Sequence, residues 1–301
     1  MKPALLVTGA GGFLGRSVLP ALEEHYRVLR IASPRGALEG PDVFRADLAD
    51  PAAAQSLAEA VAEALGGARV EALVHLAAAL CPPGGARDMG VYHANQALTL
   101  GALRLTQTLA PAHVVNFSSL AVYPVRDGLF TEDSPVDPSG NTEGLYGLAK
   151  FDSEALFNFH LGRSSTVTNL RLTQAYGPGM QPDRLVALLA GEWRETGRVT
   201  LFGRGERVSN FVHARDVARG LAAVLDAPRA GTFNMGCARN LSYLEVGRLV
   251  LSALGAGEEA LVLEERGIRA RAAISTARFE EAFATRLEEV DFSYLADEAL
   301  P

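Results

Sequence analysis

The segment Ala4 to Thr8 is a short β-rich run that leads directly into Gly9-Ala10-Gly11-Gly12-Phe13-Leu14-Gly15, and this turn opens a helical stretch. Strand, glycine turn and helix in that order restrict the fold sharply. Glycine allows a tight turn, lets a backbone approach a pyrophosphate and lets the helix pack on the strand, while the helix N-terminus attracts the anion. The alternation then continues. Strands are predicted at Ala4 to Thr8, Arg27 to Ile31, Asp42 to Arg45, Ala72 to Leu76, His113 to Phe117 and Val167 to Leu172. Helices are predicted at Gly12 to Glu24, Pro51 to Leu65, Tyr92 to Leu109 and Tyr146 to Leu161. Strands that alternate with helices pair in parallel, with helices on both faces. The expected fold class is α/β, a doubly wound parallel sheet.

The alternation breaks around Gly177-Pro178-Gly179. Short helices at Arg184 to Glu195, Ala214 to Leu225 and Tyr243 to Leu254 follow, mixed with short strands such as Val199 to Phe202, and predict a smaller C-terminal α/β lobe for the substrate. The expected division is a dinucleotide-binding domain at 1–175 and a substrate lobe at 176–301, partly interleaved with it. Ligands of open α/β sheets lie outside the carboxyl ends of the strands.

Composition narrows the partners. The net charge of −7 gives no electrostatic footprint for nucleic acid or an anionic membrane. Cys81 and Cys237 have no paired spacing and the six histidines form no ligand cluster, so neither a disulfide framework nor a metal site is expected. No apolar run approaches the roughly 20 residues of a membrane span. The expected location is the cytoplasm.

The chain has only two lysines, yet Lys150 falls four places after Tyr146. A tyrosine and a lysine one helical turn apart share a face. An ammonium there can stabilise a phenolate and bring a phenol that titrates near 10 toward neutrality, making a proton donor and acceptor for an alcohol and ketone pair.

With Gly9, Gly12 and Gly15, the Tyr146/Lys150 pair resembles the extended short-chain dehydrogenase/reductase family, which contains sugar-nucleotide epimerases, dehydratases and reductases. Further segments carry the resemblance: Asp47-Leu48, His75-Leu76-Ala77-Ala78, Asn95, Ser118-Ser119-Leu120-Ala121-Val122-Tyr123, Arg171 to Gly179 and Phe211-Val212-His213-Ala214-Arg215-Asp216. The resemblance implies a Rossmann-type sheet and a nicotinamide cofactor. It assigns Gly9, Gly12, Phe13, Leu14 and Gly15 to the dinucleotide, Asp47 and Leu48 to the adenine, Leu76, Ala77 and Ala78 to the cofactor wall, and adds Asn95. Ser119 is the hydroxyl for the substrate oxygen, Tyr146 the acid/base, and Lys150 the residue that holds the nicotinamide ribose and lowers the tyrosine pKa. Ser118 is read as a strand-end backbone partner. A homodimer through the helices of Tyr92 to Leu109 and Tyr146 to Leu161 is also expected.

An enzyme using NAD offers a carboxylate to the ribose about 20 residues after the glycine loop. Here Arg30-Ile31-Ala32-Ser33-Pro34-Arg35 has no acid before Glu39. Ser33 and Arg35 suit a phosphate, so NADP is favoured over NAD. The dehydratases of the family follow the catalytic threonine with an aspartate and a glutamate, where this chain has Leu120 and Ala121. An epimerase-reductase pattern needs a cysteine and a histidine, where it has Leu120 and Gly179. The favoured reading is a ketoreductase acting on a nucleotide-linked 4-keto sugar. The alternatives are an NAD-dependent 4-epimerase and a non-catalytic dinucleotide sensor or scaffold. The family's diphosphate-gripping arginine is replaced by the Ser209-Asn210-Phe211 segment, which leaves Arg207, Gln181 and Arg184 as candidates for the substrate wall.

Overall fold

The computed structural model describes residues 2–288 and 290–297, so the end of the expected second lobe, 298–301, lies outside the described residues. In chain order the first elements are β1 (Ala4–Thr8), α1 (Phe13–His25), β2 (Arg27–Ala32), β3 (Val43–Arg45), α2 (Pro51–Leu65), β4 (Val70–His75) and α3 (Met89–Leu109). There follow β5 (His113–Ser119), β6 (Gly128–Phe130), α4 (Gly144–Leu161), β7 (Thr166–Leu172), β8 (Gln174–Tyr176), α5 (Leu185–Thr196), β9 (Val199–Phe202) and β10 (Val208–His213). The last are α6 (Ala214–Asp226), β11 (Gly231–Met235), β12 (Asn240–Ser242), α7 (Tyr243–Ala253), β13 (Leu261–Glu264), β14 (Ala272–Ile274) and α8 (Ala277–Phe283).

Seven strands form one parallel sheet in the order β11-β7-β5-β4-β1-β2-β3. The chain winds outward from β1 to β3, then returns to β4 on the other side of β1. That reversal opens a crevice at the carboxyl ends of β1 and β4. β1 is buried at all five positions. Because side chains alternate along a strand, Leu5 and Val7 join a core with Val18 and Leu22 of α1 and Val217 and Leu221 of α6. Ala4 and Leu6 join the opposite core, with Leu57 and Val61 of α2, Leu105 of α3 and Phe157 of α4. Cover on both faces is why central strands of this kind read as apolar runs rather than alternating ones.

The sequence boundaries shift where caps and pairing decide them. α3 starts at Met89, not Tyr92, because Asp88 accepts from the Gly90 amide as an N-cap. β4 starts at Val70, which pairs with Ala4, and ends at His75. From the second half of the chain, β11 pairs with β7 and so completes the central sheet. A third core of Val186 and Leu189 from α5, Leu201 from β9 and Val246 and Val250 from α7 lies outside that sheet.

Candidate active site

The crevice is walled on one side by the glycine turn. Gly9 has φ +70°, and a Cβ there would lie 2.7 Å from the Ala77 nitrogen, so the turn presses on the backbone that leaves β4. Only glycine permits that approach. Gly12 is the N-cap of α1 and offers no side-chain acceptor to the first-turn amides, which suits them to an anion. Phe13 and Leu14 are half-buried and Gly15 is buried, as are Leu76, Ala77 and Ala78 to an intermediate degree beyond β4. Leu48 is buried, whereas Asp47 is exposed and accepts from the Ala49 amide through Oδ1 at 3.0 Å.

Ser33 and Arg35 are both exposed just beyond β2, and the Gly36 amide closes a turn onto the Ser33 carbonyl. Arg45 donates to the carbonyls of Gly36 and Leu38 and ties this loop to β3. A hydroxyl and a guanidinium therefore stand at the end of β2. Asn95 is 3% exposed and fully engaged: Oδ1 accepts from the Ala79 amide at 3.1 Å, and Nδ2 donates to the Ala79 and Val91 carbonyls, both at 2.8 Å. Its side chain clamps the loop after β4, so any influence on a cofactor passes through that loop.

Ser119 ends β5, and Tyr146 and Lys150 come from the inner face of α4. A Cβ on Gly147 would stand 2.1 Å from the Ala121 carbonyl oxygen, so α4 lies directly against the segment that follows Ser119. That close approach brings the three side chains together. The Ser119 hydroxyl accepts from the Ala121 amide at 3.1 Å and favours the phenolate of Tyr146, and the Lys150 Nζ lies 5.9 Å from the Tyr146 ring centroid. Lys150 is 4% exposed and donates to the Phe117 carbonyl at 2.7 Å.

The expected lowering of the tyrosine by the lysine needs correcting. Burial pushes the Tyr146 phenol up, and the Glu143 carboxylate raises it further; Arg184 and the Ser119 hydroxyl work the other way. The lysine itself is pulled down to about 8 by burial, with Glu154 opposing. The physical reason is that the phenolate loses hydration in the pocket while the ammonium is directed at a backbone carbonyl.

Ser118 also departs from expectation. Its hydroxyl donates to Glu154 Oε1 at 2.5 Å instead of serving the backbone. Glu154 in turn receives a bidentate pair from Arg171, Nε to Oε1 at 2.9 Å and Nη2 to Oε2 at 2.8 Å, and both side chains are about 5% exposed or less. Arg171 Nη1 donates to the Tyr123 hydroxyl at 2.8 Å, and that hydroxyl donates to Asn234 Oδ1 at 2.8 Å.

On the open side, Arg184 is the N-cap residue of α5. It reaches Glu143 Oε1 at 3.1 Å, the Cys81 carbonyl at 3.0 Å and Asp183 Oδ1 at 3.3 Å. Arg207 stacks on the Tyr243 ring at 5.2 Å and acts on Glu143 through its charge. Gln181 is exposed. Glu143 and Cys81 are the site residues that sequence reasoning missed. Glu143 stands three places before Tyr146, a helical spacing that could have flagged it. Among the described residues no group of three or more metal-ligating side chains occurs, and no helix is long and apolar enough to cross a membrane.

The family model described as "NAD dependent epimerase/dehydratase family" matches residues 5–236. The chain is 30% identical to a dTDP-glucose 4,6-dehydratase of Streptomyces griseus over 69% of its own length and 64% of that protein's. It is 25% identical to a dTDP-4-dehydro-6-deoxy-D-allose reductase of Streptomyces bikiniensis over 84% of its length and 82% of the relative's. Proteins named as dTDP-glucose 4,6-dehydratases recur among the similar sequences. In fold it is similar to the UDP-glucose 4-epimerase of Thermotoga maritima solved with UDP-glucose, with a TM-score of 0.81 at 21% identity, covering 97% of this chain and 96% of that one.

Proposed function

The chain belongs to the NAD dependent epimerase/dehydratase family, and from that membership we propose that it is a nicotinamide-dependent reductase of a nucleotide-linked 4-keto sugar. The convergence of Ser119, Tyr146 and Lys150 beside the crevice carries the reading. When bound, the nicotinamide supplies or accepts the hydride and, oxidised, adds a positive charge near the phenol. Tyr146 gives its proton to the carbonyl oxygen as that oxygen becomes a hydroxyl, and takes it back in the reverse direction. Ser119 donates a hydrogen bond to the same oxygen. Lys150, fixed by the Phe117 carbonyl, holds the ribose. Gly9, the first-turn amides of α1, Leu48, Leu76, Ala77 and Ala78 form the cradle for the dinucleotide.

Support for reduction over elimination comes from Leu120 and Ala121, which stand where the family's dehydratases carry acids. Support for NADP comes from Ser33 and Arg35 and from the lack of a carboxylate before Glu39 in that loop. The relative named as a 4-keto sugar reductase agrees with this reading, while the relatives named as dehydratases and epimerases favour a site that oxidises and re-reduces. Offering NADPH or NADH deuterated at the transferred position, with dTDP- and UDP-linked 4-keto sugars, separates these. The expected result is one deuterium in the product, from NADPH in preference to NADH by about tenfold or more, equivalent to roughly 1.4 kcal/mol. Transfer from NADH alone removes the cofactor assignment; C4-isomerised sugar formed without net cofactor consumption from dTDP- and UDP-linked 4-hydroxy sugars offered in parallel removes the reductase in favour of the epimerase.

Leu100 of α3 and Phe151 and Phe159 of α4 are 43%, 36% and 86% exposed. These apolar side chains on the outer faces of the two helices support a homodimer through that surface. The expected outcome of light scattering is twice the chain mass, reduced to the chain mass by Phe159→Glu; a monomer at micromolar concentration excludes it.

A further inference from the structure

The phenol of Tyr146 is surrounded by more charge than proton transfer to a carbonyl requires. Lys150 faces it from the same helix, Ser119 from the end of β5, Cys81 from the loop after β4, Glu143 from the start of α4 and Arg184 from the start of α5. Behind Glu143 stand Asp183 and Arg207; behind Lys150 stand Glu154 and His75. Of the groups that act on the phenol directly, Glu143 and Arg184 touch each other and carry opposite charge, with Nη1 to Oε1 at 3.1 Å; Arg184 also lies 3.3 Å from Asp183 Oδ1.

We propose that Glu143 and Arg184 are paired positioning residues, an ion pair bridging α4 and α5 that sets how readily Tyr146 releases its proton. This deepens the reading of Tyr146 as the acid/base and rests on it. Arg184 makes its second bond to the Cys81 carbonyl at 3.0 Å, so one guanidinium ties together three segments that border the phenol: the loop after β4, the N-terminus of α4 and the N-cap of α5. A planar fork can hold two acceptors at fixed angles in this way, whereas an ammonium cannot. The two charges act on the phenol in opposite directions, the carboxylate against the phenolate and the guanidinium for it. Removing either member takes away one of two opposing influences, so the two single variants must move the phenol in opposite directions, Arg184 keeping Asp183 at 3.3 Å when Glu143 is lost. A role confined to holding the fold together would move it the same way in both, or not at all.

The test follows the phenol itself, independently of turnover. Tyrosine labelled with 13C at Cζ is incorporated, the Tyr146 resonance is assigned by its loss in Tyr146→Phe, and the NADP complex is titrated from about pH 6 to about pH 11. Glu143→Gln is expected to lower the midpoint by about half to one pH unit, and Arg184→Met to raise it by a similar amount or beyond the range, the size being limited by solvent screening of side chains that are 32% and 29% exposed. Arg184→Lys, which keeps charge without the fork, should fall between Arg184→Met and the unaltered chain. Midpoints, or, where a midpoint lies above the range, the fractions ionised at its upper limit, that coincide or that move in the same direction in Glu143→Gln and Arg184→Met overturn the pairing. If Arg184→Met does not fold, the Glu143→Gln and Arg184→Lys midpoints decide. Failure of the acid/base reading would instead show as undiminished turnover in Tyr146→Phe, whatever the midpoints do.

Discussion

Tyr146→Phe is expected to fold normally, to keep its affinity for the dinucleotide within a few-fold, and to lose turnover by about a hundred- to ten-thousand-fold, the usual worth of a positioned proton donor. That loss corresponds to roughly 3–5 kcal/mol of barrier. The substitution is mild for the fold. The ring is 8% exposed and packs among Cys81, Val91 and Ala121, all of which phenylalanine can still fill. What disappears is the hydroxyl, and with it the influence of Ser119 on the phenol. Because burial raises the phenol rather than lowering it, the residue is protonated in the resting chain and ready to act in the reducing direction. Oxidation requires the phenolate, so its rate should rise with pH. A variant that turns over at the unaltered rate, with cofactor bound, excludes Tyr146 as the acid/base; one that no longer binds cofactor shows instead that the ring shapes the cradle.

The frame of this site is legible in the sequence because backbone-level signals carry it. The apolar runs of β1 and β5, the glycine turn and the lysine four places after Tyr146 each follow from a periodicity or from a residue only one geometry tolerates. The charged layer around the phenol is less so. Glu143 has the right spacing to meet Tyr146, but its partner Arg184 is 41 residues away and meets it only through the packing of α5. Ser118 illustrates the same limit. From sequence a serine at a strand end is a backbone partner by default, and only the inward face of α4 reveals that Glu154 lies opposite. The Tyr146 phenol is raised where the spacing of Tyr146 and Lys150 predicts a lowering, for a related reason. One-turn spacing reports that two groups are near; it does not report how much water the pocket excludes, and here desolvation wins.

Glu154→Gln carries the largest expected effect on stability. Glu154 and Arg171 are bonded at two points inside the protein, with side-chain exposures of 4% and 5%. Breaking such a pair on one side leaves a buried charge unmatched, at a cost of about 3–5 kcal/mol, or a fall in melting temperature on the order of 10 °C. Replacing both by apolar residues, as in Glu154→Leu with Arg171→Met, should recover most of the loss, because neither charge then needs solvation. The same change reaches the site through Lys150. Burial already holds that ammonium down to about 8, and Glu154 is what opposes it. Losing Glu154 therefore moves the midpoint lower still. The sign follows from proton counting: in the unaltered chain the folded lysine binds fewer protons than the unfolded one between about 8 and 10.5, so its contribution to stability grows as pH rises through that window. Below it, the chain bears the cost of a buried charge, which Glu154 reduces. In Glu154→Gln the window should open nearer neutrality, and, if the ammonium holds the cofactor as proposed, affinity for the dinucleotide should begin to fall at a lower pH than in the unaltered chain. Isothermal titration of NADP across about pH 6 to 9 measures this directly. Affinity curves that superimpose would separate Glu154 from Lys150 and leave the carboxylate a purely structural partner of Arg171.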